Sequence, residues 1–222
     1  MRKEILTNGE VYHIMNKSIA GFRIFNDEND FSRMKNNMRY YLPAGEKQKF
    51  SQFLRDVKIH KENIADEITK LLAEKSCLVQ VIAYCVMPTH FHLVLKQMKE
   101  NGIENYLTNI SNAYSHYFNT KIERKGPLWV GRFKSVLVES DNQLIHLTRY
   151  IHLNPVSAGL VANASDWKYS SYAEYVDPGS VKYPICDFQG LISFTGDQYK
   201  KFVDDQADYQ RELEVIKHLS LE

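Results

Sequence analysis

The order of elements read from the sequence predicts an α+β protein: a ferredoxin-like antiparallel sheet with helices packed mainly on one face, followed by a C-terminal helical appendage. Three observations carry this. Leu78 to Met87 is a nearly continuous apolar run, the pattern of a central strand buried on both faces. Pro88-Thr89 then makes a tight turn into a second apolar run, Phe91 to Lys96, so these two strands are antiparallel neighbours. Helix-period segments separate them from one earlier and one later strand, giving the order β-α-(α)-β-β-α-β-α.

The elements follow in chain order. Val11-Tyr12-His13-Ile14-Met15-Asn16 reads as the first strand. The polar stretch Asn26 to Asp30 caps a helix beginning near Phe31, and Pro43-Ala44-Gly45 ends it. Glu46 to Lys75 is charged and helical in period, with Phe50, Phe53, Leu54 and Val57 on one face. After the central strand pair, a helix from about Ile103 to Glu123 is closed by Lys125-Gly126-Pro127. Arg132 to Glu139 alternates and reads as the fourth strand. Ser140 or Asp141 caps a last core helix, Asn142 to Leu153, which Pro155 and Gly159 terminate. The domain boundaries expected are 1–177 for the main domain, with a helical insertion at about 43–75, and 178–222 for the extension.

Composition narrows the class. With 222 residues, 44% hydrophobic and 25% charged, the chain suits one soluble domain with appendages. No apolar run approaches the roughly 18 residues of a membrane span, and the N-terminus lacks a signal-peptide pattern. The expected setting is cytoplasmic, and the three cysteines, Cys77, Cys85 and Cys186, read as reduced thiols. Net charge is +1. Its distribution is uneven: Lys96 to Lys134 holds seven basic and three acidic residues, whereas Asp197 to Glu222 holds seven acidic and four basic.

Two short stretches carry chemistry. His90-Phe91-His92 opens the second strand of the hairpin. Residues i and i+2 of a strand share a face about 7 Å apart, so the two imidazoles stand side by side as metal ligands in want of a third. In isolation such a pair also suits a structural role. The second stretch is Tyr150-Ile151-His152-Leu153-Asn154-Pro155. On a helix, Tyr150 and Asn154 are i and i+4, about 5–6 Å apart on one face. A phenol, with a pKa of about 10, is a poor nucleophile at neutral pH. A divalent cation would polarise a phosphoryl group for it. Tyrosine attack on phosphorus would then give a covalent intermediate that keeps the phosphodiester bond energy. Tyr114 and Tyr117 compete for the nucleophile role, Asn154 also suits a simple helix end, and His152 lies off the Tyr150 face.

These residues resemble a known family. His90-Phe91-His92 after Met87-Pro88-Thr89 is similar to the histidine–hydrophobe–histidine (HUH) motif of single-tyrosine transposases. Tyr150-Ile151-His152-Leu153-Asn154-Pro155-Val156 resembles their nucleophile helix. The REP-associated tyrosine transposase branch also shows segments like Tyr12-His13-Ile14-Met15-Asn16-Lys17, Tyr117-Phe118-Asn119, Leu128 to Ser135 and Trp167 to Tyr172. The resemblance spans about Val11 to Val176. It implies a metal-dependent endonuclease and strand-transferase, with Mg2+ or Mn2+ as the ion, specific for single-stranded DNA with hairpin or palindromic ends, as a monomer or a homodimer. By residue it implies Tyr150 as the nucleophile that becomes linked to a 5′ phosphate, and His90, His92 and Asn154 as metal ligands. The Pro43 to Lys75 region is longer than the family pattern, and the acidic tail matches no motif of it.

Lys121, Arg124, Lys125, Trp129, Arg132 and Lys134 are the candidate DNA contacts, since single-strand surfaces mix cations with aromatic platforms. Trp129 and Phe133 suit a core equally well. Two other functions compete: a domesticated hairpin-DNA binder that no longer cuts, and a histidine-triad phosphohydrolase, against which Val94 stands where a third histidine is required.

Overall fold

The computed structural model describes residues 5–46, 48–193 and 195–205. Four strands, β1 (Val11–Lys17), β2 (Val79–Val86), β3 (His90–Gln97) and β4 (Lys134–Leu137), form one antiparallel sheet in the order β2-β3-β1-β4. β3 and β1 are therefore the central pair, with Met15 opposite His92 and Lys17 opposite His90. β2 and β3 form the expected hairpin, closed by a Met87 N–H bond to the His90 carbonyl of 2.8 Å.

Strand alternation sorts the side chains into two layers. Tyr12, Ile14, Phe91, Leu93 and Leu95 enter one core; Val94, Cys85 and Met87 enter the other. A bulge between Val81 and Ala83 turns Ile82 and Ala83 together to the second layer. That is why β2 reads as an unbroken apolar run.

Four helices cover the first layer: α1 (Glu28–Tyr40), α2 (Phe50–Ile59), α3 (Ile64–Glu74) and α4 (Gly102–Lys121). The second layer is covered by α5 (Asp141–Ser157), the short α6 (Tyr172–Val176) and α7 (Asp197–Asp204). Most helices thus lie on one face, as expected, and the sheet is also closed from behind. Residues of the segment after Pro178 take part: Ile192, Tyr199 and Val203 are buried in the second core. Among the described residues between Pro178 and α7 that segment holds one turn of 3-10 helix, Pro178–Ser180, and residues 206–222 of the expected appendage lie outside the described residues.

Several local expectations are corrected. α1 starts at Glu28, because the Asp27 carboxylate accepts from the Asp30 N–H at 3.0 Å and caps it there. The helical stretch from Glu46 to Lys75 is two helices rather than one. Lys61 takes a positive φ between them and Asn63 caps the second through Ala65 and Asp66. Its ends are stitched by Ala44 N to Ser76 O (2.7 Å) and Leu78 N to Leu42 O (2.8 Å). β4 is four residues, shorter than Arg132 to Glu139. Pro155 does not end α5, which runs on to Ser157: it forgoes the bond to the Ile151 carbonyl, and the helix closes past it through the Ala158 N–H to the Asn154 carbonyl (2.9 Å) before Gly159 takes a positive φ. No described helix is long and apolar enough to cross a membrane.

Candidate active site

β3 presents His90 and His92 on the face that α5 covers. Their ring centroids are 5.0 Å apart and nearly perpendicular. His92 is fully buried. The Thr89 hydroxyl lies 2.9 Å from His90 Nδ1. A third histidine joins them: His13, on β1, sits two residues before the partner of His92, so the same face carries it. His13 Nε2 lies 3.0 Å from His92 Nδ1, and the two rings stack at 5.2 Å. His13 was missed as a site residue because no second histidine stands near it in sequence; only the β1–β3 register brings it to His92. The Tyr12 to Lys17 segment did point to this strand.

α5 brings Tyr150 to this group from the same chain. Its ring is edge-on to His92 at 6.1 Å and to His13 at 6.4 Å. Asn154, one turn later, is also buried, and its Nδ2 donates to the Tyr150 carbonyl at 3.2 Å. That bond leaves Oδ1 as the ligating end of the amide. Both β3 imidazoles hydrogen-bond through Nδ1, so Nε2 is the atom each would offer an ion. The set is two borderline nitrogens and one hard oxygen, which suits Mg2+ or Mn2+ with further oxygens from substrate and water. Among the described residues no three His, Cys, Asp or Glu side chains group to hold a metal.

The two rival tyrosines lie in the opposite layer. Tyr114 is fully buried and donates to the Ile24 carbonyl at 2.5 Å; burial pushes its phenol far up from the ordinary value. Tyr117 donates to Asp30 at 2.9 Å and is pushed up to about 12, by burial first and then by that carboxylate. Neither faces the histidines.

His152 is not a surface residue. It is fully buried, with Nδ1 2.7 Å from the Tyr199 hydroxyl and Nε2 2.7 Å from the Ser171 hydroxyl. Tyr199 donates onward to Thr148 (3.0 Å), and Ser171 accepts the Tyr84 N–H (2.9 Å). With the Tyr199 proton directed to Thr148, a neutral His152 donates from Nδ1 and accepts at Nε2 from the Ser171 hydroxyl, whose contact with the Tyr84 carbonyl is longer (3.2 Å). Burial holds it neutral, with its pKa lowered to about 3. This network ties the Tyr150 helix to β2, whose Cys85 pairs with His92.

The candidate DNA contacts divide. Trp129 is nine-tenths buried, donates from Nε1 to the Ser111 carbonyl at 3.2 Å and packs on Phe91 at 5.4 Å. It is a core residue here rather than a stacking platform. Lys121 is held by Asp27 (2.7 Å) and Asp30 (2.6 Å), and Arg124 by Asn119 (3.0 Å) and the Pro127 carbonyl (2.7 Å). Lys125, Arg132 and Lys134 are exposed.

The profile of the family described as "Transposase IS200 like" matches residues 34–154, more than half of the chain. A REP-associated tyrosine transposase of Haemophilus influenzae is 31% identical over 105 residues, which are 42% of this chain and 58% of that protein. One of Escherichia coli is 26% identical over 115 residues, 51% of this chain and 65% of its own length. The chain therefore spans about three fifths of the curated relatives it matches. A solved structure of a REP-associated tyrosine transposase bound to a REP hairpin superposes with a TM-score of 0.51. It is 15% identical and covers 89% of this chain and 96% of the other, a likeness of fold. With a profile match that runs from α1 through the histidine strand to Asn154, the chain belongs to the IS200-like transposase family.

Proposed function

We propose that this chain nicks and rejoins single-stranded DNA beside a hairpin, in the cytoplasm, with Tyr150 as nucleophile. The observation that carries the reading is the edge-on contact of Tyr150 with His92 and His13 within one chain. His90, His92 and Asn154 would hold a divalent ion, Mg2+ or Mn2+, which when bound polarises the phosphoryl group and offsets charge developing on its oxygens.

The chain's own residues do the rest. Packing of the phenol ring against two imidazoles restricts Tyr150 to the approach its helix dictates. Its hydroxyl oxygen forms a bond to phosphorus while the bond from phosphorus to the 3′ oxygen breaks. The phenolic proton passes to water and the departing 3′ oxygen takes one up. The 5′-phosphotyrosine ester conserves the bond energy, so a 3′ hydroxyl of another strand reverses the step and frees Tyr150. Lys125, Arg132 and Lys134 supply the exposed cations for the backbone, which makes affinity salt-dependent.

The test uses a hairpin oligonucleotide with a single-stranded flank, labelled at its 3′ end. With Mg2+ or Mn2+ the label should migrate with the denatured protein. The adduct should fall to background in Tyr150→Phe and in excess chelator, while hairpin binding persists. An undiminished adduct in Tyr150→Phe would overturn the assignment. Hairpin binding with no adduct under either metal would replace it with the non-cutting binder.

A further inference from the structure

The inserted α2 has a consequence on the face away from the histidines. Its first residues, Phe50 and Ser51, line a cavity of about 570 Å³ together with residues of α1 and α4, within the range of small-ligand sites. Tyr41, Phe50 and Tyr117 give it aromatic walls, Arg33 and Lys49 give it cations, and no carboxylate is among the described residues lining it.

The charge is unbalanced. The Arg33 guanidinium lies 4.6 Å over the Phe50 ring and 5.1 Å over the Tyr117 ring, and its Nε is buried without a hydrogen-bond partner. A cation stacked on ring faces with one N–H buried and unpaired keeps part of its desolvation cost, which an incoming anion would offset. Lys121, at the rim, differs, being neutralised by Asp27 and Asp30. α2 begins at this cavity with no side-chain cap and no acidic residue in its first turn. Its positive end adds to Arg33 and Lys49.

The opposite wall is one face of α4. Asn109, Asn112 and His116 follow at helical spacing with exposed side chains. Such amides offer a donor and an acceptor together, the pattern that reads a base edge. A second cleft of about 520 Å³ shares His116 and Thr120 and continues to Arg124 and Lys125. From there the chain returns to the sheet, where Trp129 bridges Ser18, next to the Lys17–His90 pair.

We propose that this cavity binds a nucleotide, with its phosphate at Arg33 and the start of α2 and its base edge at Asn109 and Asn112. An unpaired nucleotide of bound DNA and a free mononucleotide share this chemistry. The DNA source rests on the proposed hairpin-DNA reading; the mononucleotide source does not.

The experiment is run on the full chain in chelator, so the histidine site takes no part. The four deoxynucleoside 5′-monophosphates, the matching nucleosides and inorganic phosphate are titrated by calorimetry. In parallel, binding of hairpin oligonucleotides is measured with an abasic residue at each flanking position in turn. Arg33→Gln and the exposed Asn112→Ala are compared, with melting temperatures recorded. Either a mononucleotide binds, better than nucleoside or phosphate, or one abasic position weakens hairpin binding. In each case the effect should shrink about tenfold in both variants. The first result names a free nucleotide and the second the DNA. Neither effect in the wild-type chain, equal binding of inorganic phosphate, or effects unchanged in Asn112→Ala would overturn the proposal. Adduct formation at Tyr150 is scored separately, so its failure leaves the mononucleotide result standing.

Discussion

His13 Nε2 and His92 Nδ1 are 3.0 Å apart, and one of the two atoms must carry the shared proton. Ligation through His92 Nε2 requires that nitrogen to be bare, so His92 must donate from Nδ1 and His13 must accept. His13 thus fixes the tautomer of its neighbour, the role outer partners play around metal-binding histidines. Under the proposed chemistry, His13→Phe should lower the rate of adduct formation about 10- to 100-fold with hairpin affinity unchanged. Single-turnover kinetics beside a binding titration checks this, and equal loss in both would reduce His13 to a folding role. Glu174 offers a second test at this scale. It accepts from the Ile185 and Cys186 N–H groups (3.0 and 2.7 Å) and from the Tyr84 hydroxyl (3.1 Å). Burial outweighs those bonds and raises its carboxyl above the ordinary value. The folded chain therefore holds this proton when the unfolded chain has lost it, and stability should fall as pH rises from about 4.5 through the folded value. His152, held neutral by burial, works the other way below about pH 6.5, so the readout is a difference: the urea midpoint of the wild-type chain should fall relative to that of Glu174→Gln between pH 4 and 7.

At the scale of elements, α4 shows how closely its start is fitted. A Cβ on Gly102 would run into the Leu78 carbonyl, backbone against backbone. Alanine is the better helix former by about 1 kcal/mol, yet Gly102→Ala should destabilise by about 1–3 kcal/mol, because neither backbone can give way. Chemical denaturation reads the sign directly. The elements also show what the sequence made legible. The hairpin was readable because Leu78 to Met87 and Phe91 to Lys96 flank a turn with apolar runs. α5 was readable from Ser140, whose side chain does accept from the Gln143 N–H at 3.2 Å. Its far end was misjudged because the chain stays helical past Pro155 and stops only before Gly159, at positive φ. The break at His60 to Asn63 was hidden because a charged helical period carries across a capped turn.

For the whole molecule, the decisive relations are those between segments far apart in sequence. Tyr150 and Asn154 were legible as an i, i+4 pair, and His90 and His92 as a strand pair. Their meeting was not, since it depends on which face of the sheet α5 covers. His13 depended on strand order in the same way. Because one chain supplies both tyrosine and histidines, mixing Tyr150→Phe with His92→Ala should restore no adduct. Restored activity in that mixture would mean that α5 crosses between subunits.

The central pairing of β1 with β3 joins residues 13 and 92, and α5 follows only after β4. In order of synthesis, the histidine face is finished well before the tyrosine emerges. A nascent or truncated chain ending short of α5 carries the histidines with nothing to attack DNA. The cutting chemistry proposed for this chain thus comes into being in one late step, when α5 docks and the Tyr199–His152–Ser171 bonds fasten it to the finished sheet.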